Sequence, residues 1–269
     1  MESYRVIAPT AERVPLLVSV PHCGISFPPD IADEFDKDLT DRPDDTDWFV
    51  DRLYDFAPAL GATMITAVYS RWVIDLNRDP SDNPLYTDGR IITGLCPVTD
   101  FTGRSLYKDG RTKVADDEVA RRRTLYYAPY HDELRRLRSD LKSEFGTVLL
   151  WDCHSIRQDV KTIYREKFPD LILGDADEAS ANTMLIESAL SSLQQSTYSL
   201  SHNFPFKGGY ITRAYGRPEF KEHALQLEMA KINYMDDGEI VYDESRADKM
   251  RTLLSRTLRS LVDQLQGVR

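Results

Sequence analysis

The sequence lacks the features that mark secreted or membrane proteins. It contains only three cysteines, which predicts no disulfide framework and favours a reducing cytoplasm as its location. Its N-terminal residues have neither the basic start nor the apolar run of a signal peptide. Its apolar runs, such as Leu16–Val20 and residues 148–151, have the length of a strand and are too short to span a membrane.

The chain also lacks an excess of positive charge, since its formal net charge is −10. An acidic surface repels phosphate backbones and anionic lipids, so neither nucleic acid nor a membrane is an expected partner. A small anionic molecule would need a local basic pocket. No internal repeat, low-complexity tract or long linker divides the 269 residues, so we predict a single domain over residues 1–269.

Apolar runs of strand length alternate with segments of helical periodicity along most of the chain. Strands are predicted over residues 15–20, 62–68, 72–76, 147–152, 171–173, 210–212 and 224–228. Helices are predicted over residues 47–59, 116–145, 178–194 and 243–266, the second interrupted near Pro129 and ended by Gly146. Residues 87–110 are predicted to form a long loop. This order favours an α/β fold with a mixed, largely parallel sheet covered on both faces.

Two of the predicted strands deliver a histidine to their carboxyl ends. The first is followed by Pro21-His22-Cys23-Gly24, and the second by Cys153-His154-Ser155. Ligands bind at the carboxyl ends of the strands in such sheets, and neutral imidazole is a favoured zinc ligand. Because the chain has only five histidines, this matched placement of two of them indicates a metal site. The alternative is that each is a strand-end histidine satisfied by a hydrogen bond.

A catalytic zinc ion commonly has three protein ligands, so a carboxylate is expected beside the two histidines. The acidic cluster Asp44-Asp45-Thr46-Asp47 lies at the start of the helix predicted over residues 47–59. We expect Asp47 to be the ligand, with Asp45 as the second choice. The alternative role of this cluster is helix capping, in which Asp45 or Asp47 accepts hydrogen bonds from first-turn amides.

Glu228 is the candidate general base for hydrolysis of an amide. It lies inside the apolar run Ala224-Leu-Gln-Leu-Glu-Met-Ala230, where a carboxylate is costly unless it has a partner or a task. Metal-assisted hydrolysis needs a group that takes a proton from water and passes it to the leaving amine. The alternative is a structural ion pair between Glu228 and an arginine.

Arginines lie close to two of the predicted strands. Arg71 and Arg78 bracket one strand with Asn77 beside them, and Arg213 follows the other. Arginine binds carboxylates with a two-pronged geometry that lysine cannot match. Any single surface arginine is ordinary, but this grouping in an acidic protein predicts a small substrate that carries two carboxylates.

A family resemblance is carried by blocks that follow one another over nearly the whole chain: VSVPHCG, DDTDWFVDRLYDFAPALGA, YSRWVIDLNRDP, LLWDCHSI, and FKGGYITRAYG with HALQLEM. Together they resemble the N-formylglutamate amidohydrolases, also called N-formylglutamate deformylases, of histidine degradation. That family is related to the zinc carboxypeptidases and to the aspartoacylase and succinylglutamate desuccinylase group. The resemblance implies a three-layer α/β/α fold like that of zinc carboxypeptidases, one catalytic zinc ion, and hydrolysis of N-formyl-L-glutamate to formate and L-glutamate.

The resemblance also implies roles for individual residues. His22 resembles the first metal ligand, His154 the last, and Glu228 the general base. Four residues resemble positions that polarise the carbonyl or hold substrate carboxylates: Arg71, Asn77, Arg78 and Arg213. In the resulting hypothesis, zinc bound by the two histidines and Asp47 acidifies a water molecule, and Glu228 removes its proton. Arg71 helps to stabilise the oxyanion, and the other three residues hold the carboxylates of glutamate.

The sequence departs from the family pattern at three places. The related acylases have a glutamate ligand three residues after the first histidine, where this chain has Gly24-Ile25-Ser26, so the carboxylate must come from elsewhere. The Asn-Gly-Arg-Phe-Lys-Gly-Gly pattern of the family reads Asn203-Phe-Pro-Phe-Lys-Gly-Gly209, and its Asp-Trp-His helix start reads Asp47-Trp48-Phe49. These last two changes bear on the N-acyl group and the amino acid more than on hydrolysis itself.

Three other functions remain open on the sequence. One is a related metallohydrolase that cleaves another N-acyl amino acid or a C-terminal residue. A second is nucleophilic catalysis by Cys23 or Cys153, although each is adjacent to its histidine and neighbours on a strand point to opposite faces. The third is a non-catalytic protein of the same fold that binds dicarboxylates.

Overall fold

A seven-stranded sheet forms the centre of the fold in the computed structural model, which describes residues 2–85 and 93–267. In chain order the strands are β1 (Tyr4–Ile7), β2 (Leu16–Val20), β3 (Thr63–Ala67), β4 (Val148–Ile156), β5 (Leu171–Gly174), β6 (Leu200–His202) and β7 (Glu222–Ala230). Their order across the sheet is β1-β3-β2-β4-β7-β5-β6. The β1–β3 and β5–β7 pairs are antiparallel and the other neighbouring pairs are parallel. The predicted mixed, largely parallel sheet is therefore confirmed.

Helices of very different lengths connect the strands. The α-helices are α1 (Pro29–Ala32), α2 (Lys37–Thr40), α3 (Val50–Leu53), α4 (Asp116–Arg122), α5 (Ala128–Phe145), α6 (Thr183–Gln194), α7 (Tyr210–Tyr215) and α8 (Glu244–Gly267). Short 3-10 helices occupy Ala57–Leu60, Pro218–Phe220 and Lys231–Asn233. Over residues 2–85 and 93–267, no helix combines the length and the apolar character needed to cross a membrane.

The long helices cover both faces of the sheet. On one face, Leu134 and Leu141 of α5 belong to the same core cluster as Leu17 of β2. On the other face, residues of α6 and α8 share a cluster with Val18 of β2 and Trp151 of β4. The two faces alternate along β2 because successive side chains of a strand point in opposite directions. Each fully buried apolar side chain contributes roughly 1.5–3 kcal/mol. The predicted three-layer α/β/α architecture is confirmed.

The helix predicted over residues 116–145 is continuous but changes its pitch in the middle. α4 passes into a π-helical stretch, Arg123–Tyr127, which leads directly into α5. Pro129 lies in the first turn of α5, where it has no amide proton and its ring disfavours the usual i to i−4 hydrogen bond. The predicted interruption is therefore a widened turn. Gly146 ends α5 with φ 73°, as predicted.

The helix predicted over residues 47–59 is wrong in its extent, since only α3 and one short 3-10 helix form there. Phe49 has φ 63°, a left-handed conformation that interrupts the helical path just before α3. Pro58 cannot donate a helical hydrogen bond, which favours the short 3-10 helix around it. Asp47 is consequently held outside any helix, with its amide donating to His22 O at 2.9 Å.

The strand predicted over residues 72–76 is also wrong, because this buried segment consists of turns. Its backbone bonds to loops, with Val73 N donating to Ser70 O at 2.9 Å and Asp75 N donating to Leu95 O at 2.8 Å. An apolar run signals burial whether or not the chain joins a sheet, which explains the error. The turns bring the side chain of Asp75 inside the protein.

The strand predicted over residues 210–212 is instead the first part of α7. Asn77 provides the reason, since its Oδ1 accepts a hydrogen bond from Ile211 N at 2.7 Å and caps the helix from a distant segment. Gly209 precedes the helix, and a Cβ atom there would lie 2.2 Å from Asn77 Nδ2. A cap from elsewhere in the chain leaves no local sequence signal.

The remaining predictions differ from the structure mainly at the ends of elements. The strands predicted at residues 15–20, 62–68, 147–152, 171–173 and 224–228 all form, and α8 confirms the last helix. α6 begins only after Asn182, whose side chain accepts a hydrogen bond from Leu185 N. The edge strands β1 and β6 were not predicted. Residues 93–110 of the predicted loop contain no named helix or strand, and residues 87–92 lie outside the described residues.

Candidate active site

The predicted catalytic residues meet at the carboxyl ends of three neighbouring strands, β2, β4 and β7. His22 lies just beyond β2, whereas His154 is within β4 and Glu228 is within β7. In the parallel β4–β7 pair, His154 lies opposite Glu228, and Asp152 lies opposite Gln226. Paired residues of neighbouring strands project from the same face of a sheet. The register therefore brings a candidate metal ligand and the candidate base side by side.

His22, Asp47 and His154 form a buried cluster in which one potential ligand atom from each lies within 4.8 Å of the others. Asp47 Oδ2 is 3.0 Å from His154 Nδ1 and 3.7 Å from His22 Nδ1. The other oxygen of Asp47, Oδ1, is buried and has no hydrogen-bond partner among the described residues. Two imidazoles and a carboxylate are a donor set typical of catalytic zinc, so these residues fit a divalent metal ion.

Asp45, the second choice for the carboxylate ligand, has a different environment. Its Oδ2 accepts a hydrogen bond from Trp72 Nε1 at 2.9 Å, and both of its oxygens lie 3.2 Å from the amide nitrogen of Phe101. These bonds occupy the carboxylate of Asp45 with structural partners. Of the two aspartates, Asp47 is the one that the fold places beside the histidines.

Each histidine is backed by a carboxylate that our sequence interpretation missed. His22 Nε2 lies 2.8 Å from Asp75 Oδ1, and His154 Nε2 lies 3.0 Å from Asp152 Oδ2. A proton on each Nε2 would bond to these carboxylates and direct each Nδ1 toward Asp47, the arrangement that orients metal-binding imidazoles. Two other donors lie near the rings, Asn77 Nδ2 at 3.0 Å from His154 Nε2 and Arg71 NH1 at 3.0 Å from His22 Nδ1. The signal for Asp152 was its position two residues before His154, on the same face of a strand.

Burial and charge act in different directions on the pKa values of these groups. Burial is the main reason that the pKa of His22 falls to about 4. Burial also acts to lower the pKa of His154, but Asp152 and Asp47 outweigh it and hold that pKa well above its usual value. Burial raises the pKa of Glu228 to about 8, against the opposing influence of His154. Because a nearby cation favours a charged carboxylate, a divalent ion in the cluster would lower the pKa of Glu228.

A cavity of about 90 Å³ opens over the cluster. Its polar lining includes the predicted residues Arg71, Asn77, Arg78 and Glu228. Its apolar lining consists of Leu85, Phe101, Ile156, Ile163 and Phe206. Gln226 also lines the cavity and was not predicted; its Oε1 accepts a hydrogen bond from Gly209 N at 2.7 Å. A cavity of this size, with two cations and an apolar wall, suits a small anionic molecule.

Comparison with known proteins shows the family of this chain. The sequence model of the N-formylglutamate amidohydrolase family matches residues 14–235. The chain belongs to this family. It is 41% identical over 254 residues to the N-formylglutamate deformylase of Pseudomonas putida and 41% identical over 256 residues to that of Pseudomonas aeruginosa, covering 93% of its own length and of theirs in both cases.

A solved structure of the same family has the same fold. The crystal structure of an N-formylglutamate amidohydrolase from Ralstonia eutropha JMP134 superposes with a TM-score of 0.83 at 27% sequence identity. The match covers 98% of this chain and 99% of that one. The predicted family is therefore confirmed by both sequence and structure, and with it the assignment of this chain to a family of hydrolases.

Two arginines of this amidohydrolase, Arg71 and Arg78, flank the buried carboxylate of Asp75. Arg71 NH2 donates to Asp75 Oδ2 at 2.6 Å, and Arg71 NH1 lies 3.0 Å from His22 Nδ1. Arg78 NH1 is 3.8 Å from the same Asp75 oxygen. Burial acts to raise the pKa of Asp75, but the two arginines and His22 hold it well below its usual range. Two guanidinium groups thus lie beside the cavity, and the carboxylates of Asp75, Asp47 and Asp152 are buried close to them.

The other two residues predicted to bind substrate differ in position. Asn77 lines the cavity, but its Oδ1 caps α7 and its Nδ2 lies 3.4 Å from Asp152 Oδ2. Arg213 is exposed on α7, where its Nε donates to Gly208 O at 2.9 Å. Among the described residues that line the cavity, Arg213 is absent. Asn77 thus has a structural role in the site, and the assignment of both residues to substrate binding stays a prediction.

The two cysteines next to the histidines are placed as structural residues. Cys153 belongs to the core cluster on the face of the sheet opposite to His154, and its Sγ lies 3.7 Å from Trp151 O. Cys23 Sγ lies 3.4 Å from Val20 O. Burial raises the pKa of both thiols well above its usual value. These environments oppose thiolate formation and so disfavour nucleophilic catalysis by cysteine.

Proposed function

We propose that this chain is a zinc-dependent amidohydrolase that converts N-formyl-L-glutamate to formate and L-glutamate, and that it serves histidine degradation. Its membership of the N-formylglutamate amidohydrolase family and its similarity to two N-formylglutamate deformylases support the reaction. The observation that carries the proposal is the position of Glu228, paired in register with His154 beside the buried His22–Asp47–His154 cluster.

Metal binding is assigned to His22, Asp47 and His154, whose geometry fits a divalent ion. A bound ion would polarise the formyl carbonyl and make water more acidic. Asp75 and Asp152 hold the two imidazoles in orientation through Nε2. These five residues would thus act together as a rigid metal-binding unit.

Proton transfer is assigned to Glu228. Its side chain lines the cavity beside His154, where a carboxylate can accept a proton from the attacking water and then return it to the leaving nitrogen. Gln226 Nε2 lies 3.5 Å from Glu228 Oε2 and limits the directions that this carboxylate can take. Because the same group acts first as a base and then as an acid, its carboxylate must reach both the attacking water and the leaving nitrogen.

Stabilisation of the oxyanion is assigned to Arg71. Asp75 holds its guanidinium group at 2.6 Å, and the group also lies 4.8 Å from the centre of the Phe101 ring. A cation that is already fixed needs no reorganisation when charge develops on the carbonyl oxygen. Arg78 is fixed in the same manner, through its Nε to Thr93 O at 2.9 Å. We assign Arg78, with Asn77 and Arg213, to the carboxylates of glutamate.

A second candidate function is hydrolysis of another N-acyl amino acid by the same chemistry. The observation that favours it is the apolar wall of the cavity, which includes Phe101, Ile156 and Phe206. Such a wall suits an acyl group or side chain larger and less polar than those of N-formylglutamate. A non-catalytic homologue that binds dicarboxylates is the outcome if no substrate is cleaved.

The direct test is formate release from N-formyl-L-glutamate by zinc-loaded protein, with a chelator-treated sample and a Glu228→Gln variant alongside. Glu187→Gln, on the exposed surface of α6, is the matched control. We expect formate from the loaded protein and from the control, and almost none from the other two samples. Metal content should be equal in the two variants, because Glu228 is assigned no ligand role.

Different results would replace the proposal in different ways. Cleavage of N-acetyl or N-succinyl amino acids without formate release would support the proposed metal chemistry and reject N-formyl-L-glutamate as the substrate. Full activity of the chelator-treated sample would show that the hydrolysis does not depend on a metal ion. Binding of glutamate without any cleavage would leave the non-catalytic dicarboxylate-binding protein as the correct function.

A further inference from the structure

A second cavity, of about 250 Å³, lies beside the catalytic cavity. The two share Phe101, Ser155 and Ile156 as lining residues. The remaining wall of the second cavity comes from residues 44–45, 102, 157, 159–162 and 231, with Thr102 and Asp159 among the exposed ones. The second cavity therefore adjoins the catalytic cavity and has exposed residues in its wall.

Lys231 is the unusual residue of this second cavity. It directly follows β7, and only 2% of its surface is exposed. Its Nζ donates to the backbone oxygen of Asp44 at 2.9 Å, and no carboxylate of the described residues lies within ion-pair distance of it. Burial lowers the pKa of Lys231, against the opposing influence of the more distant Asp47 and Asp44 carboxylates. A buried ammonium group is costly without a direct anionic partner.

The other charged groups around this cavity already have partners. Asp44 accepts hydrogen bonds from Arg157 Nε at 2.8 and 2.9 Å. Lys161 Nζ lies 3.0 Å from Asp159 Oδ1. The carboxylate of Asp45 is occupied by Trp72 and by the amide of Phe101, as described above. Among the described lining residues, Lys231 is thus the cation that lacks an ion pair.

A second donor lies in the same wall. The hydroxyl group of Ser155 is buried and makes no hydrogen bond of standard geometry among the described residues, and the hydroxyl group of Tyr234 is its polar neighbour. Ser155 lines both cavities, which places it at their boundary. An ammonium group together with a hydroxyl group offers the donors that a carboxylate accepts.

We propose that the second cavity is a binding site for a small carboxylate, held by the ammonium group of Lys231 and the hydroxyl group of Ser155. The identity of the carboxylate rests on the proposed function, in which two groups can reach this site. One is formate after its release, and the other is a carboxylate of the product L-glutamate after it has left Arg78, Asn77 and Arg213. Both supply the negative charge that the buried lysine lacks.

The test is a titration of the zinc-loaded protein with sodium formate and, separately, with L-glutamate, followed by calorimetry at constant ionic strength. We expect Lys231→Met to raise the Kd of the bound carboxylate by roughly tenfold or more, the loss typical of a charged hydrogen bond. Lys113→Met, an exposed lysine with 73% side-chain exposure, should leave the Kd unchanged. A change for formate alone identifies formate as the ligand of this site, and a change for L-glutamate alone identifies the departing L-glutamate.

Ser155→Ala is the second variant, in case Lys231→Met does not fold. It should weaken binding of the same carboxylate by a few fold, roughly the effect of one neutral hydrogen bond. Unchanged Kd values for both ligands in the folded variants would overturn the inference. A lower melting temperature with unchanged Kd values would also overturn it, because Lys231 would then only hold the segment around Asp44.

This binding measurement is independent of turnover. If N-formylglutamate is not cleaved but formate binding still depends on Lys231, the proposed function fails and the carboxylate site stands. If cleavage occurs and neither ligand depends on Lys231 or Ser155, the proposed function stands and the carboxylate site fails.

Discussion

Two buried histidines, His131 on α5 and His22 after β2, show that similar burial can serve different purposes. Burial lowers the pKa of both to about 4. Around His131 the partners are neutral, with Nε2 2.9 Å from a backbone carbonyl and Nδ1 2.8 Å from Tyr215 OH. Around His22 they are charged, with Asp75 at 2.8 Å and Arg71 at 3.0 Å.

Burial alone therefore does not identify a reactive histidine. A neutral imidazole with two neutral partners is satisfied, and it stabilises the packing of α5. At the carboxyl end of the sheet, charged groups are buried together, and one oxygen of Asp47 has no partner among the described residues. Such an arrangement is unfavourable unless the charges are paired or bind an ion. The chemical type of the partners is what separates the two regions.

The largest expected effect is at Glu228, the candidate proton-transfer group beside His154, which has no counterpart among the described hydrogen-bond partners of His131. Glu228→Gln keeps the size of the side chain and removes its ability to accept a proton. We expect kcat to fall by about 10² to 10⁴-fold, the usual contribution of general acid–base catalysis. Steady-state formate release measures it. A variant that retains more than half of the wild-type kcat would show that another group transfers the proton.

The next effect concerns stability at low pH and the region of His131. Because its pKa in the folded protein lies below its unfolded value of 6.5, the unfolded chain binds the proton more readily. Stability from this residue is therefore present above pH about 6.5 and is lost as pH falls toward about 4, by roughly 3 kcal/mol. The charged neighbours act in opposite directions, with Arg135 lowering and Asp132 raising the pKa.

Urea unfolding at pH 7.5 and pH 4.5 measures this effect. In His131→Gln the difference between the two pH values should be about 2 to 3 kcal/mol smaller than in the wild type. The comparison with the variant is needed because His223, whose pKa burial also lowers to about 4, contributes to the wild-type difference. Equal pH dependence in both proteins would show that His131 is not buried as a neutral group.

A smaller effect is expected behind His154. Asp152→Asn removes the charge that faces Nε2 at 3.0 Å while keeping the shape of the side chain. Loss of such an outer partner costs about 10 to 100-fold in metal affinity. Competition with a chelating dye measures the affinity, and Asp263→Asn on the exposed side of α8 is the control. Equal affinity in both variants would mean that His154 is oriented by other contacts.

The smallest effect is expected at Tyr130, which links α5 to the site. Its hydroxyl lies 3.0 Å from Ser19 Oγ, which donates to Asp152 Oδ1 at 3.1 Å. Tyr130→Phe removes one buried hydrogen bond and should lower the free energy of unfolding by about 1 kcal/mol. Chemical denaturation measures it, with Tyr198→Phe as the control. A loss above about 3 kcal/mol would indicate that the whole chain of hydrogen bonds collapses as a unit.

The sequence predicted which residues lie close together at the cavity better than it predicted the elements around them. His154 and Glu228 lie in apolar runs that form central strands, and a buried ionisable residue in such a run is visible without a structure. Asp75 is equally buried, but its segment was predicted as a strand, so its contact with His22 was not foreseen. Loops that are buried against a site carry the same apolar signal as strands, and their path depends on distant partners.

The alternation of strands and helices and the placement of two histidines at strand ends can be read from the sequence, because hydrophobic periodicity is a local property. The contact of Asp47 with His154, a residue 107 positions away, and the hydrogen bonds that occupy Asp45 depend on the folded chain. So does the capping of α7 by Asn77. Each of these outcomes depends on strand register and on contacts between loops that are distant in sequence. Neither can be predicted from a short stretch of sequence.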